Sequence, residues 1–495
     1  MKNYLMNNHN SIQLNFIYNI LYQLLLIILP LVTAPYLSRV LGASQLGEYS
    51  YTYSVANYFV LFAMLGVNNY GNRCVARVRG DRARLSAEFW GIYCFQAMLT
   101  LLMLALYVSY SVALSGDIEL ALAWVPYVLS AGLDINWLFF GLEEFRLTVT
   151  RNFVVKLATF ALTLLLVRGE HALFIYCALM SISYLTSAVA LWPFVRREVD
   201  WVRPTARQIM SHLRPNLVLF VPVVAISLYT VLDKVMLGWL SSFEENGYFE
   251  NAYKVATMPT AVITALGTVM LPRVSNLLAE GRREQAHRYL GASMWAAMAM
   301  AFAFSLGVVG VAPVLVPVLF GEGFGPSEAA MCVIVADMPF MAWANVIRTQ
   351  LLIPEGRDQE YVASVVAGAA VNVAVNLALI PSMGALGAAL GTLCAEAAVC
   401  LVQARAVRGE VPQGRWLLRC LPFAAIGIAM CAVVRAMGEA MGASAPTLLL
   451  QVIAGAAVYS LLSLAWCEVT RDEGYLTAVR PALVSALARL RGRRG

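Results

Sequence analysis

Apolar runs of about 20 residues, bounded by charges or Gly/Pro clusters, recur from one end of this chain to the other. They lie near 14–36, 47–70, 88–113, 120–141, 152–168, 172–195, 216–240, 248–271, 289–312, 328–350, 360–380, 385–404, 419–437 and 446–467. A helix needs about that length to cross the hydrocarbon of a bilayer, so the pattern predicts an all-α membrane protein of about 14 transmembrane helices. The first run, Phe16 to Val40, is longer than the apolar part of a secretion signal and has no small-residue cleavage site, so it is expected to remain as a span. No polar stretch between runs is long enough for a soluble domain.

The polar residues between the runs give the frame an orientation. With the N-terminus inside, the inner connections hold Lys2, Arg73 to Arg84, Arg146 and Arg151, Arg196 to Arg214, Arg273 to Arg288, Arg348 and Arg357, and Arg405 to Arg419. Six more arginines lie between Arg471 and Arg494, and the outer ends receive only Arg39, Arg168 and Arg435. This asymmetry is that of cytoplasmic loops and predicts both termini inside. The basic connection from Arg196 to Pro215 divides two bundles of six spans. Gly47, Tyr49, Tyr53, Val55 and Ala56 recur in type and spacing as Gly247, Phe249, Tyr253, Val255 and Ala256. The expected organisation is an N-lobe over 1–200, a C-lobe over 201–408, a hairpin of two spans over 409–470 and a basic amphipathic tail over 471–495. The two lobes would be parallel repeats, related by an axis along the membrane normal.

Composition agrees: 60% of the 495 residues are hydrophobic and 13% charged, about half the charged share of soluble domains. The net charge of +6 is explained by the inner connections and does not call for nucleic acid. Nine cysteines lack metal-ligand spacing and read as buried thiols, and four histidines at the chain start or near connections make no catalytic cluster.

Charges inside the spans carry the candidate chemistry, because such charges are costly unless they face water or a partner. Asp233 and Lys234 stand seven to eight residues before the turn at Ser241, and Lys254 stands seven after Gly247. At about 1.5 Å per residue all three lie roughly 10–12 Å below the outer surface. Asp233 can pair with Lys254 and leave Lys234 facing elsewhere, or the two lysines can present an excess of positive charge to an anionic substrate. Asp134 and Lys156 share a depth near the inner side and read as a structural pair. Asp337 and Glu396 have no local partner and are candidates for holding a proton or a sodium ion. Asn68, Asn69, Asn251, Asn345, Asn372 and Asn376 are candidates for hydrogen bonds to sugar or between helices. Prolines at 30, 35, 222, 259, 313, 317 and 339 and the small-residue run Gly384 to Gly391 read either as bending and sliding points or as static packing.

Several blocks together resemble the Wzx-type polysaccharide flippases of the multidrug/oligosaccharidyl-lipid/polysaccharide exporter superfamily. They are Pro35-Tyr-Leu-Ser-Arg-Val-Leu-Gly42 with Gly47-Glu-Tyr49; Asp134-Ile-Asn-Trp-Leu-Phe-Phe-Gly141 with Arg151, Asn152 and Lys156; and Leu232-Asp-Lys-Val-Met-Leu-Gly238 with Gly247-Tyr-Phe249 and Ala252-Tyr-Lys254. Leu319-Phe-Gly321 and Asn372, Asn376, Pro381 and Gly384 to Ala389 follow, so the likeness covers about 12–405. Glu144 stands where the family pattern usually has a base, which puts the charge at that inner mouth in doubt.

The resemblance implies two six-helix lobes around a central cavity and no catalytic residues. It also implies a polyprenyl-pyrophosphate-linked oligosaccharide carried from the cytoplasmic to the outer leaflet of the bacterial cytoplasmic membrane. Lys234, Lys254, Arg39 and Lys156 would then meet phosphate, while Asn251, Asn68, Tyr49, Tyr53 and Trp137 would meet sugar. Asp134, Asp233, Asp337 and Glu396 would serve ion coupling or structural pairing. The resemblance needs no cofactor beyond a coupling Na+ or H+, and its partners would be polysaccharide polymerase and assembly proteins. A peptidoglycan-precursor flippase and an ion-coupled drug exporter of the same superfamily are the alternatives.

Overall fold

The computed structural model describes residues 2–169 and 171–471, so the expected basic tail lies outside the described residues apart from Arg471. Among the described residues the regular structure is helical, apart from one isolated bridge between Arg408 and Val411. The elements are α1 (Lys2–Met64), α2 (Val67–Val78), α3 (Arg82–Ala113), α4 (Ile118–Leu122), α5 (Val125–Leu133), α6 (Asn136–Gly141) and α7 (Phe145–Leu166). Next come α8 (Ala172–Val189), α9 (Trp192–Glu198), α10 (Ala206–Ser211), α11 (Leu213–Thr230), α12 (Leu232–Leu240) and α13 (Phe243–Ala279). The chain closes with α14 (Arg283–Phe320), α15 (Pro326–Val335), α16 (Met338–Ile347) with a π-turn at Arg348–Leu352, α17 (Asp358–Ala406), α18 (Gln413–Met441) and α19 (Ala445–Thr470).

Eleven helical stretches among the described residues are long and apolar enough to cross a membrane, which makes this a multi-pass membrane protein. Two pairs of expected spans share one element label, and in each the two helices are separated by a single glycine outside helical geometry. The first pair lies on α1, which is interrupted at Gly42 (φ 71°), and the eleventh and twelfth lie on α17, interrupted at Gly384 (φ 51°). Both glycines occupy the left-handed half of backbone space, where a Cβ is strained.

In α17 the break is a reversal, as its internal packing shows. A Cβ on Gly387 would meet the Leu379 carbonyl at 2.7 Å, one on Gly391 would strike Asn376, and one on Gly368 would lie 2.5 Å from Val399. Gln403 donates to Ser364 at 3.0 Å. These pairs march away from Gly384 in step, so the two arms run antiparallel. The small-residue run 384–391 opens the second arm and brings Gly387 and Gly391 against the first. At the open end Arg357 clasps the arms together. It donates to Glu360 at 2.6 Å, to Glu410 at 2.9 Å and to the Ala406 carbonyl at 2.9 Å.

The helices cluster into two compact units, 1–227 and 228–495. Helix α11 belongs with the first unit as far as Ser227. Gly66 comes so close to α11 that a Cβ would lie 3.1 Å from the Asn216 carbonyl, Phe62 meets Phe220 edge to face, and Tyr58 donates to the Ser227 carbonyl. In the second unit α18 and α19 pack on α14. Gly427 and Gly438 sit against Leu306 and Val314, and Tyr459 donates to the Ala299 carbonyl.

The core of the first unit gathers Phe89, Ile92, Phe95, Trp137 and Phe139 around a broken helix. Asp134 and Ile135 leave helical geometry between α5 and α6, which strips carbonyls of their partners. Gln96 of α3 repairs the break: its amide donates to the carbonyls of Ala131 at 2.5 Å and Asp134 at 2.8 Å, and its oxygen accepts from the Trp137 indole at 3.0 Å. Replacing Gln96 by Leu orphans all three groups where water cannot reach. We expect a loss of about 3 kcal/mol of stability, read as a lower unfolding temperature in detergent. A melting curve equal to that of the parent protein contradicts the assignment.

Candidate functional site

Three clusters of polar side chains stand inside the apolar frame of the second unit. The first joins α12 and α13. The Glu250 carboxylate accepts from Lys234 at 2.7 Å and from Lys254 at 3.0 Å, and the Lys234 ammonium lies 5.2 Å from the centre of the Tyr253 ring. Glu250 is 7% exposed, Lys234 14% and Lys254 26%, so the acid sits behind the two bases. Residues four apart share a helix face, which is why Glu250 and Lys254 meet.

The second cluster corrects the expected partner of Asp233. Asp233 does not pair with Lys254. Its two oxygens accept from Asn376 at 2.6 Å and from Thr392 at 2.8 Å, one on each arm of α17. Asn376 also donates to Asn372 at 3.1 Å. Adjacent helical residues point about 100° apart, so Lys234 and Asp233 address different neighbours.

The third is a cavity of about 220 Å3, lined by residues of α13, α15, α16, the π-turn and α17. It brings together Asp337 and Glu396, the two acids that the sequence left alone, and adds Arg348. Arg348 donates to the Asn345 oxygen at 2.7 Å and lies over the Tyr361 ring. Two polar atoms of this lining have no protein partner: the amide nitrogen of Asn345 and the amide oxygen of Gln403. Both residues are almost fully buried. A lining with an orphan donor, an orphan acceptor, two carboxyl groups and a guanidinium suits several waters or a small cation, since buried polar groups otherwise go unsatisfied. Among the described residues no group of three or more His, Cys, Asp or Glu is placed to hold a metal ion.

The first unit holds a different assembly. Tyr49 and Tyr53 stack at 6.1 Å, and Trp124, Tyr127, Tyr176 and Tyr184 complete a cluster of six rings. Its polar edges are ordered: Tyr127 donates to Asn57 at 2.8 Å, Trp124 donates to Thr52 at 3.1 Å, and the Tyr53 and Tyr184 hydroxyls are 3.4 Å apart. Tyr53 and Tyr184 are half-buried and offer both ring and hydroxyl.

Other expected residues fall elsewhere. Trp137 is fully buried in the core, bound to Gln96, and packed so closely on Gly71 that a Cβ there would lie 2.6 Å from the ring. The Asp134–Lys156 pair does not form. Asp134 accepts from the backbone and side-chain nitrogens of Asn136, and Arg151 supplies the base through Asn136 at 2.8 Å. Lys156 is exposed one and a half turns further along α7. Arg39 is exposed and donates to the Pro35 carbonyl of its own helix at 3.3 Å; Asn68 is exposed at the start of α2, and Asn251 is fully buried.

Sequence reasoning missed Glu250, Arg348, Gln403 and the four additional rings. Glu250 was within reach, four residues before Lys254 in the same span. The others become visible only when distant helices are brought together.

Two family models match the chain: "Polysaccharide biosynthesis protein" over residues 12–278 and "Lipid II flippase MurJ" over 159–445. A curated relative, "Putative O-antigen transporter" of Escherichia coli (strain K12), is 23% identical over 80% of this chain and 95% of its own length. The protein of the same description from Shigella dysenteriae is 22% identical over 77% of this chain and 96% of its own. Among solved structures, "Lipid II flippase MurJ, inward closed conformation" superposes with a TM-score of 0.76 at 12% identity, over 93% of this chain and all of that one. An inward-facing multidrug resistance MATE family transporter of the MOP superfamily superposes at 0.58 with 14% identity, over 80% of this chain and 95% of that one. These likenesses show the fold.

Proposed function

We propose, for a chain that belongs to the polysaccharide biosynthesis protein family, the flipping of lipid-linked oligosaccharide across the bacterial inner membrane. The protein is a transporter and not an enzyme, as are the families and relatives that it matches. It carries polyprenyl-pyrophosphate-linked repeat units from the cytoplasmic to the outer leaflet by alternating access, with both termini inside and a polymerase downstream.

The observation that carries this reading is the arrangement around Glu250. Two ammonium groups meet on one carboxylate within membrane-length helices, and they form the more exposed side of the cluster. A pyrophosphate needs such a cationic station, while its lipid tail remains in hydrocarbon. Tyr53 and Tyr184 offer rings and hydroxyls of the kind that hold sugars. Flipping of a peptidoglycan precursor is the second reading, favoured by the match of the MurJ model over 159–445. The relatives named for O-antigen transport match over most of the chain and favour the first.

The deciding experiment reconstitutes the protein in liposomes and follows two fluorescent lipids between leaflets, a polyprenyl-pyrophosphate oligosaccharide and a peptidoglycan precursor. Transfer of the first and not the second is expected; the reverse overturns the assignment. Asp337 and Glu396 are the coupling pair in this reading. An imposed proton or sodium gradient is expected to raise the rate of the parent protein about tenfold, and Asp337→Asn and Glu396→Gln to abolish that response. Acceleration that persists in both variants removes the cavity from coupling.

A further inference from the structure

Glu250 has a role of its own, which rests on the proposed binding of a pyrophosphate by Lys234 and Lys254. We infer that Glu250 is an internal stand-in for the substrate's anion: it occupies the two ammonium groups between transport events and competes with the pyrophosphate for them, so that the substrate can leave.

The geometry carries this in three steps. The carboxylate bridges both lysines at 2.7 and 3.0 Å, as an oxyanion of a diphosphate would. The other nearby acid is committed elsewhere, since both oxygens of Asp233 are held by α17. Glu250 is thus the carboxylate that bridges the two ammonium groups. The exposures are graded as well: the acid is the most buried member and the lysines are more open, so an arriving anion meets ammonium groups and not carboxylate.

Energetics make such a competitor useful. Two lysines without a counter-ion would be expensive in a low-dielectric interior and would hold a pyrophosphate too long. A transporter needs binding strong enough to load and weak enough to unload. With Glu250 present, the attraction of each ammonium for the substrate is partly offset by the carboxylate pairing that the ammonium gives up. On release, the carboxylate restores the pairs without waiting for solvent.

The test measures binding and transfer of polyprenyl pyrophosphate, without sugar, by the full-length protein in nanodiscs and proteoliposomes. Glu250→Gln raises the net charge of the cluster by one and is expected to tighten binding roughly tenfold while slowing multiple-turnover transfer at saturating lipid. The double variant Glu250→Gln/Lys234→Gln restores the charge and is expected to return to within about threefold of parental affinity. Glu250→Asp keeps the charge on a shorter stem that reaches one lysine, giving an intermediate affinity and a folded protein should the Gln variant not accumulate. Unchanged or weaker binding by a folded Glu250→Gln, or parental affinity in Glu250→Asp when only that variant accumulates, overturns the inference. Lys234→Gln alone separates the two claims. If it binds as tightly as the parent protein, the cationic station itself is wrong; if it binds more weakly but Glu250→Gln does not tighten, only the stand-in role fails.

Discussion

Lys254→Gln is expected to lower the initial rate of lipid-linked oligosaccharide transfer at subsaturating substrate by roughly 100-fold, about 3 kcal/mol. The cluster at α12 and α13 then holds one ammonium and one carboxylate, which satisfy each other and leave nothing for an anion. A unit charge about 4 Å from another contributes roughly 4 kcal/mol at an effective dielectric of 20, and a dianion feels the loss in full only when seated. The variant should therefore fold and reach the membrane in normal amount, since Lys234 still neutralises Glu250 at 2.7 Å. Transfer by Lys254→Gln at the parental rate, in protein of parental abundance, removes Lys254 from the substrate path.

The second large effect is structural. Gly391→Leu is expected to lower unfolding stability by about 3 kcal/mol or more, because its Cβ would strike the Asn376 side chain. Asn376 cannot retreat without abandoning Asp233, to which it donates at 2.6 Å. Overpacking and the uncovering of a buried carboxylate thus add. Gly414→Leu serves as the control, since a Cβ there meets nothing within 4 Å and no positive φ forbids it. Thermal unfolding of the two variants in the same detergent reads the difference. Equal midpoints would mean that the arms of α17 are not in contact at Gly391.

Much of the frame was legible in the chain because a bilayer sets the length of apolar runs. The spans at 88–113, 289–312, 419–437 and 446–467 each fall within one long helix, α3, α14, α18 and α19. The tightness of the reversal between the spans at 360–380 and 385–404 was harder to read, because it turns on one backbone angle at Gly384. The site was legible as a set of costly charges and not as a set of pairs. Depth follows from counting residues, and it placed Asp233, Lys234 and Lys254 near one level. Partner choice follows from the rotation of each helix about its axis. That rotation sends Asp233 to Asn376, 143 positions away, and leaves Lys234 to Glu250. The Asp134–Lys156 expectation failed for a local reason: the helix breaks at Asp134, the freed carboxylate turns back on Asn136, and Arg151 takes up Asn136.

The hairpin α17 is fastened at three heights: by the turn at Gly384, by Asp233 spanning both arms two turns below it, and by the Arg357 clasp at its base. Scissoring of the arms would have to break these links. Because Asp233 itself links the arms, a cation that drew its oxygens away from Asn376 and Thr392 would release both contacts at once and leave the arms tied at the turn and at the base.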